Sequence, residues 1–249
     1  MKAVLLDAGL TLLRAEPSLG GVYAGVTRRL GVEVPPAAFE RAAEAAFHLM
    51  GLEHREGGEP GLRTSDDLER ESWRRHARRV MDGVPAMAGL DFGRWFEALY
   101  DEFGAARAWV PFDDARPALE ALRRTGVRTA VVSNWDGRLR GILEEHRLTP
   151  LLDAVVISAE VGWRKPHGAV FERALEALGV RPAEALHCGD SLGDDVEGAR
   201  AAGIRPVLLS RGVPGDSSGR QSGDPTPGRR APDGVAVVRD LVSLVDLAG

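Results

Sequence analysis

Apolar residues run unbroken from Ala3 to Leu6 and stop on a carboxylate, Asp7, with Gly9 two residues further on. Such a run ending on a charge predicts a buried strand that delivers the carboxylate to its C-terminal edge. From about Pro17 to Ala108 the pattern changes. No alternating or β-branched run is present, and apolar residues recur at helical spacing over 39–50, 68–81 and 92–103. Glycine and proline clusters at 56–61 and 83–89 divide this stretch into helices joined by loops.

Beyond Pro111 strands and helices alternate. The pattern predicts helices over 116–125, 138–146, 169–178 and 195–202, and strands over 128–133, 154–158, 185–188 and 206–209, closed by a strand at 235–238 and a helix at 241–247. Alternation of this kind builds βαβ units and a parallel sheet. The predicted class is therefore α/β, with a Rossmann-like core made of residues 1–14 and 110–249 and a helical block, 15–109, inserted after the first strand. An insertion at that point sits above the strand ends, where an open α/β sheet binds its ligands. Residues 211–233 are dense in Gly, Pro, Ser and Arg and read as an exposed, mobile loop within the core, with Arg220, Arg229 and Arg230 leaving an anion contact open.

Composition narrows the function. The 249 residues carry a net charge of −5, which gives no general affinity for nucleic acid or an anionic membrane. No apolar stretch reaches the roughly 18 residues of a membrane span, and the sequence opens on a strand instead of a basic and apolar signal peptide. Cys188 is the single cysteine. It cannot form an internal disulfide, so the expected location is the cytoplasm. Lys2 and Lys165 are the two lysines among 32 basic residues, which makes the interior one worth asking about.

Four predicted strand ends carry polar groups that could meet at one site. They are Asp7; Ser133-Asn134; Lys165 in Gly162-Trp163-Arg164-Lys165-Pro166; and Gly189-Asp190-Ser191-Leu192-Gly193-Asp194-Asp195. A nucleophile, hard oxygen ligands and donors for non-bridging oxygens are what phosphoryl transfer needs. Asp7 and Asp190 at neighbouring strand ends would repel each other unless a cation sat between them. Other residues have plainer readings. Asp194 suits a helix N-terminus without catalytic duty, Trp135 and Trp163 line a pocket or simply pack, and Cys188 is a buried small hydrophobe. His187 and Cys188 point to opposite faces of one strand. Arg74, Arg75, Arg78 and Arg79 form a solvated helix face.

Asp7 to Leu12, Ser133-Asn134, Lys165-Pro166 and Gly189-Asp190 with Asp195, in this order, resemble the four motifs of the haloacid dehalogenase (HAD) superfamily, in its C1-capped form. The run Ser133 to Leu139 and the following Gly141-Ile142-Leu143 resemble in particular its haloacid dehalogenase-like hydrolase domain-containing protein 3 group and bacterial relatives. The resemblance implies a hydrolase of small phosphorylated metabolites in which Asp7 attacks phosphorus to form an aspartyl phosphate. It also implies that Asp7, Asp190 and the Gly9 carbonyl hold Mg²⁺, and that Ser133 and the Asn134 backbone bind the phosphoryl oxygens. Lys165 would neutralise nucleophile and phosphoryl group, Asp194 and Asp195 would support the metal or its surroundings, and Thr11 would brace the first loop.

The chain departs from that pattern at two positions. The usual residue two after the nucleophile is a second Asp that protonates the leaving oxygen, and the next is Gly; here they are Gly9 and Leu10. General acid and base help is worth about 10²- to 10⁴-fold, so slow turnover of poor leaving groups is expected. The same absence motivates a second reading, a protein that kept the fold and metal site but binds a ligand or partner. A 2-haloacid dehalogenase is disfavoured, because Asp190, Asp194 and Asp195 would surround its anionic substrate with negative charge offset chiefly by Lys165. A phosphonoacetaldehyde hydrolase needs a cap lysine, and residues 15–109 contain none.

Overall fold

A computed structural model describes residues 1–211 and 232–249. Most of the loop expected at 211–233 lies outside the described residues. In chain order the elements begin with β1 (Ala3–Leu6), β2 (Leu13–Ala15), α1 (Leu19–Arg29), α2 (Pro36–Glu56), α3 (Gly58–Gly61), α4 (Asp66–Asp82), α5 (Phe92–Gly104) and β3 (Trp109–Pro111). There follow α6 (Ala115–Arg124), β4 (Arg128–Ser133), α7 (Arg138–Glu145), β5 (Ala154–Ile157), α8 (Ser158–Val161), α9 (Gly168–Leu178), β6 (Ala185–Gly189), α10 (Gly198–Ala201), β7 (Arg205–Leu209), β8 (Ala236–Val238) and α11 (Leu244–Ala248).

Six strands form one parallel sheet in the order β5-β4-β1-β6-β7-β8. β1 is central and buried along its whole length, which is why it reads as an unbroken apolar run. Its side chains alternate between two cores: Val4 and Leu6 join the larger one, and Ala3 and Leu5 pack with Val170, Phe171 and Ala174 of α9. Leu6 pairs with Val131 on one side and Cys188 on the other, so Asp7 leaves the sheet level with the ends of β4 and β6. The helices follow from pattern: α6 buries Ala115, Ala118, Leu119 and Leu122, a stripe at helical spacing.

Helices α1 to α5 lie between β2 and β3, which pair antiparallel with Leu13 opposite Pro111 and Ala15 opposite Trp109. α4 and α5 begin with side-chain caps, Ser65 accepting from Leu68 N at 3.2 Å and Asp91 from Arg94 N at 2.7 Å. Arg75 and Arg78 pair with Glu71 and Asp82 one turn away on the same helix, the solvated face expected, while the Arg78 guanidinium also lies 3.6 Å from the Phe92 ring centroid.

Several elements differ from the sequence expectation, the three-residue β2 and β3 among them. α1 contains Gly20, Gly21 and Gly25, whose low helix propensity hides it; tertiary packing of Tyr23 and Val26 overrides that. The helix expected at 195–202 is a π-wound turn, Leu192–Glu197, followed by α10, with Ser191 capping it through Asp194 N at 3.2 Å. The last helix starts at Leu244 instead of 241, and Leu241 N donates to Asp114 Oδ2 at 2.8 Å.

Candidate active site

The C-terminal edge of β1, β4 and β6 gathers the polar strand ends into one buried cluster. Ser133 Oγ donates to Asp7 Oδ1 at 2.9 Å, and Lys165 Nζ donates to the same oxygen at 2.7 Å. Lys165 Nζ also donates to Asp195 Oδ1 at 2.6 Å, so the ammonium sits between two carboxylates. Asp195 is held further by His187 Nε2 at 2.8 Å and by Ser191 N, which donates to Oδ2 at 3.0 Å. Its carboxylate packs so closely on Gly189 that a Cβ there would fall on it, which explains the glycine before Asp190.

Thr11 Oγ1 donates to Asp190 Oδ1 at 3.4 Å, tying the loop after β1 to the loop after β6. Asn134 clamps the loop that carries Lys165. Its Oδ1 accepts from Lys165 N at 2.7 Å, and its Nδ2 donates to Lys165 O at 3.1 Å and to Asp194 Oδ2 at 3.4 Å. The Asn134 side chain is thus engaged with protein. Gly9 sits beside the indole of Trp135.

The charges do not balance. Burial, together with Asp7 and Asp195, pushes the Asp190 carboxyl well above the usual carboxylate range. Burial also raises Asp7, against the pull of Lys165. Burial and Asp195 push Asp194 up to about 6. Asp195 alone is held low: burial would raise it, but Lys165 and His187 outweigh that. Burial opposes the charged form of Lys165 too, yet Asp195 and Asp7 keep it protonated. Carboxylate oxygens of Asp7, Asp190 and Asp195 come within 4.8 Å of one another, a separation that suits oxygen ligands on a hard cation. Both Asp195 oxygens already accept hydrogen bonds, so Asp7 and Asp190 are the groups that fit a cation best. A divalent ion there would remove the excess negative charge that raises them.

Helices from the inserted segment reach the same loops. Thr64 N donates to Gly162 O at 3.1 Å and Arg164 N to Leu62 O at 2.9 Å, and the Arg164 guanidinium pairs with buried Glu69. Gly137 N donates to Asp66 Oδ1 at 2.9 Å, and Tyr100 OH donates to Asp136 Oδ2 at 3.2 Å. The loops after β4 and β5 are therefore gripped from above, next to Ser133 and Lys165.

Sequence reasoning missed several of these residues. His187 lies on the face opposite Cys188, its ring edge-on to Phe171 at 5.1 Å, and supports Asp195. A lone polar residue inside an apolar strand was the available signal. Arg211 donates to Thr11 O and to Asp114 at 2.9 Å, bracing the first loop from a distant part of the chain. Trp163 stacks on His167 at 4.0 Å beneath Arg63, a packing role.

An α/β sheet with a buried aspartate–lysine cluster at its carboxyl edge and a helical insertion after the first strand defines a class of hydrolase. The family described as haloacid dehalogenase-like hydrolase matches residues 1–203, and the chain belongs to it. It is 34% identical over 213 residues to the Homo sapiens protein named haloacid dehalogenase-like hydrolase domain-containing protein 3, covering 82% of this chain and 79% of that one. A protein of Thermus thermophilus named phosphoserine phosphatase is 32% identical over 230 residues, 86% of this chain and 90% of its own. Among solved structures, a HAD phosphatase from Thermococcus onnurineus aligns over 100% of this chain and 98% of its own, at 26% identity and a TM-score of 0.62. No helix of the described residues is long and apolar enough to cross a membrane.

Proposed function

We propose that this chain is a Mg²⁺-dependent phosphatase of small phosphorylated metabolites that works through an aspartyl phosphate on Asp7. The observation that carries the reading is the buried Asp7 carboxylate, held on one oxygen by Ser133 and Lys165, with the uncompensated Asp190 beside it. Phosphatases among the relatives support the substrate class. Residues 15–109 are read as a cap over a core of 1–14 and 110–249. The cytoplasm is the proposed location, in keeping with a single, buried cysteine.

Both donors meet Asp7 Oδ1, which leaves Oδ2 for a second partner. Asp7 attacks phosphorus, and the bond to the leaving oxygen breaks with its electron pair on that oxygen. Lys165 and Ser133 shift part of their hydrogen bonding to the non-bridging oxygens, helped by the Asn134 backbone. Asp195 and His187 keep Lys165 charged and in place. Water then attacks the phosphorus of the acyl phosphate, releasing phosphate and restoring Asp7. Asp7, Asp190 and the Gly9 carbonyl would hold Mg²⁺, with Asp194, Asp195 and Thr11 in support; the ion supplies positive charge against the developing negative charge.

Release of inorganic phosphate from aryl and acyl phosphates tests the reading. Turnover is expected with Mg²⁺, none with EDTA, and Asp7→Asn lowers it by at least about 10³-fold. Metal binding with no turnover of any phosphoester or acyl phosphate would instead favour the ligand- or partner-binding reading motivated by Gly9. Chloride release from a haloacid in EDTA would favour dehalogenation.

A further inference from the structure

Lys165 rides on a strip of backbone shared between the core and the inserted helices. α8 ends at Gly162, whose φ of 88° turns the chain out of the helix, and 163–165 belong to no named helix or strand of the core. Such a strip must still place its backbone polar groups. Lys165 N and O both go to the Asn134 side chain. Two groups just before them go to the inserted segment instead: Arg164 N donates to Leu62 O at 2.9 Å and Gly162 O accepts from Thr64 N at 3.1 Å, an antiparallel bridge centred on Arg63 and Trp163.

The side chains divide in the same way. Neighbouring residues on an extended strip point to opposite sides: Lys165 pairs with Asp7 and Asp195, and Arg164 pairs with Glu69 of α4. Among the described residues this is the one ion pair between helices α1 to α5 and the core. Arg164 is 7% exposed and Glu69 5%, so losing either partner would strand a buried charge. Glu69 is itself fixed in the first turn of α4: its N donates to Ser65 O at 2.8 Å, and its Oε1 accepts from Thr64 Oγ1 at 2.5 Å. Arg164 Nη1 also lies 2.7 Å from His54 Nδ1 of α2.

Resting on the phosphatase reading above, we propose that Glu69 is a positioning residue: through its pair with Arg164 it sets where Lys165 Nζ stands against Asp7. The ammonium has to meet both the nucleophile and the incoming phosphoryl oxygens, and a shift of about 1 Å in such a group costs up to about 10²-fold. A neutral residue at position 69 leaves the Arg164 guanidinium buried without its counter-charge. The strip yields to relieve it and draws the adjacent ammonium off Asp7 Oδ1. The inserted helices are thereby part of what holds Lys165 in place, as well as neighbours of the strand ends.

With two lysines in the chain, the effect can be read by NMR without any substrate. In protein labelled with ¹⁵N-lysine, Lys2→Arg assigns the two ammonium resonances; the Lys2 side chain is 69% exposed and exchanges fast, whereas that of Lys165, at 2%, gives a slowly exchanging signal. Glu69→Gln, which keeps the side-chain shape and removes the charge, is expected to move the Lys165 signal and to speed its proton exchange by about tenfold or more. Thr64→Val, which removes one donor to Glu69, acts in the same direction by about two- to threefold. Tyr23→Phe weakens the inserted helices away from the strip and is expected to leave the signal in place. A Lys165 signal unmoved in folded Glu69→Gln protein overturns the proposal, and so does an equal shift in Tyr23→Phe, the mark of general loosening. Should Glu69→Gln fail to fold, wild type in sub-denaturing urea decides. The amides of Thr64 and Arg164 and the Lys165 ammonium are expected to lose protection with one urea dependence, and unequal dependences overturn the proposal.

Turnover keeps the two ideas apart. Glu69→Gln is expected to lower kcat by about 10- to 100-fold while KM stays within about threefold of wild type. If wild type turns over a phosphate and the Glu69→Gln protein matches its kcat, the positioning role fails while the phosphatase reading stands. If the Lys165 signal responds to Glu69→Gln yet wild type hydrolyses no ester or acyl phosphate, the phosphatase reading fails and Glu69 remains the residue that places Lys165.

Discussion

Between α1, α4 and α5, Tyr23, Thr27, His76 and Trp95 are buried, and their contacts are neutral: His76 Nε2 meets Tyr23 OH at 3.0 Å and Trp95 Nε1 donates to Thr27 Oγ1 at 2.9 Å. Burial and nearby Arg79 hold the His76 imidazole down to about 3, so it carries no charge near neutral pH. At the sheet edge Asp7, Asp190 and Asp195 are buried around one ammonium, which pairs with Asp7 and Asp195. One cluster is uncharged and serves packing; the other gathers three carboxylates around a single ammonium. Uncharged buried contacts specify a core, whereas buried like charges perturb one another and mark a candidate functional site.

The sharpest way to separate the two clusters is to remove one partner from each. Lys165→Met leaves Asp7 and Asp195 buried without their shared cation and is expected to cost about 3–5 kcal/mol in urea unfolding. A loss below about 1 kcal/mol would mean that the carboxylates find other partners. Next in size is the metal. At about 100 times its Kd, Mg²⁺ should raise stability by about 2.7 kcal/mol, an effect that Asp190→Asn removes. Without metal the Asp190→Asn protein should be no less stable than wild type, since it removes a buried carboxyl that burial and the neighbouring carboxylates disfavour in its charged form.

The neutral cluster makes the smaller predictions. His76 stays unprotonated in the fold down to about pH 3, whereas in the unfolded chain it takes a proton near 6.5. Its contribution is therefore whole above pH 6.5 and is lost as the pH falls towards 3. Between pH 7 and 5 this amounts to about 2 kcal/mol, read as the difference in pH-dependent melting between wild type and His76→Gln. Equal slopes in the two proteins would show that His76 titrates normally. Smallest is Tyr23→Phe, which loses one hydrogen bond and should cost about 1 kcal/mol in thermal or urea unfolding.

The charged cluster was the more legible of the two. Asp7, Ser133, Lys165 and Asp190 each follow a short apolar run, and the alternation of strands and helices places such ends along one edge of a parallel sheet. The neutral cluster was hidden, because Tyr23 sits in a glycine-rich helix and its partners come from two other helices with no mark in the sequence. The same limit applied inside the site. His187 meets Asp195 across a strand-to-turn junction, Arg164 reaches Glu69 from a different part of the chain, and Trp135 reaches the space beside Gly9. β2 and β3 escaped notice because each is only three residues long.

Apolar runs, their periods and the residues at their ends determined by themselves the α/β class, the burial of β1 and the identity of the polar groups at its edge. These are local properties, set by backbone period and side-chain burial. Tertiary structure decided how the groups are joined: which oxygen of Asp7 receives Ser133 and Lys165, that both Asp195 oxygens accept hydrogen bonds while Asp190 takes one from Thr11, and that an indole lies against Gly9. Those outcomes depend on distances between segments far apart in the chain, and no pattern within a single segment encodes them.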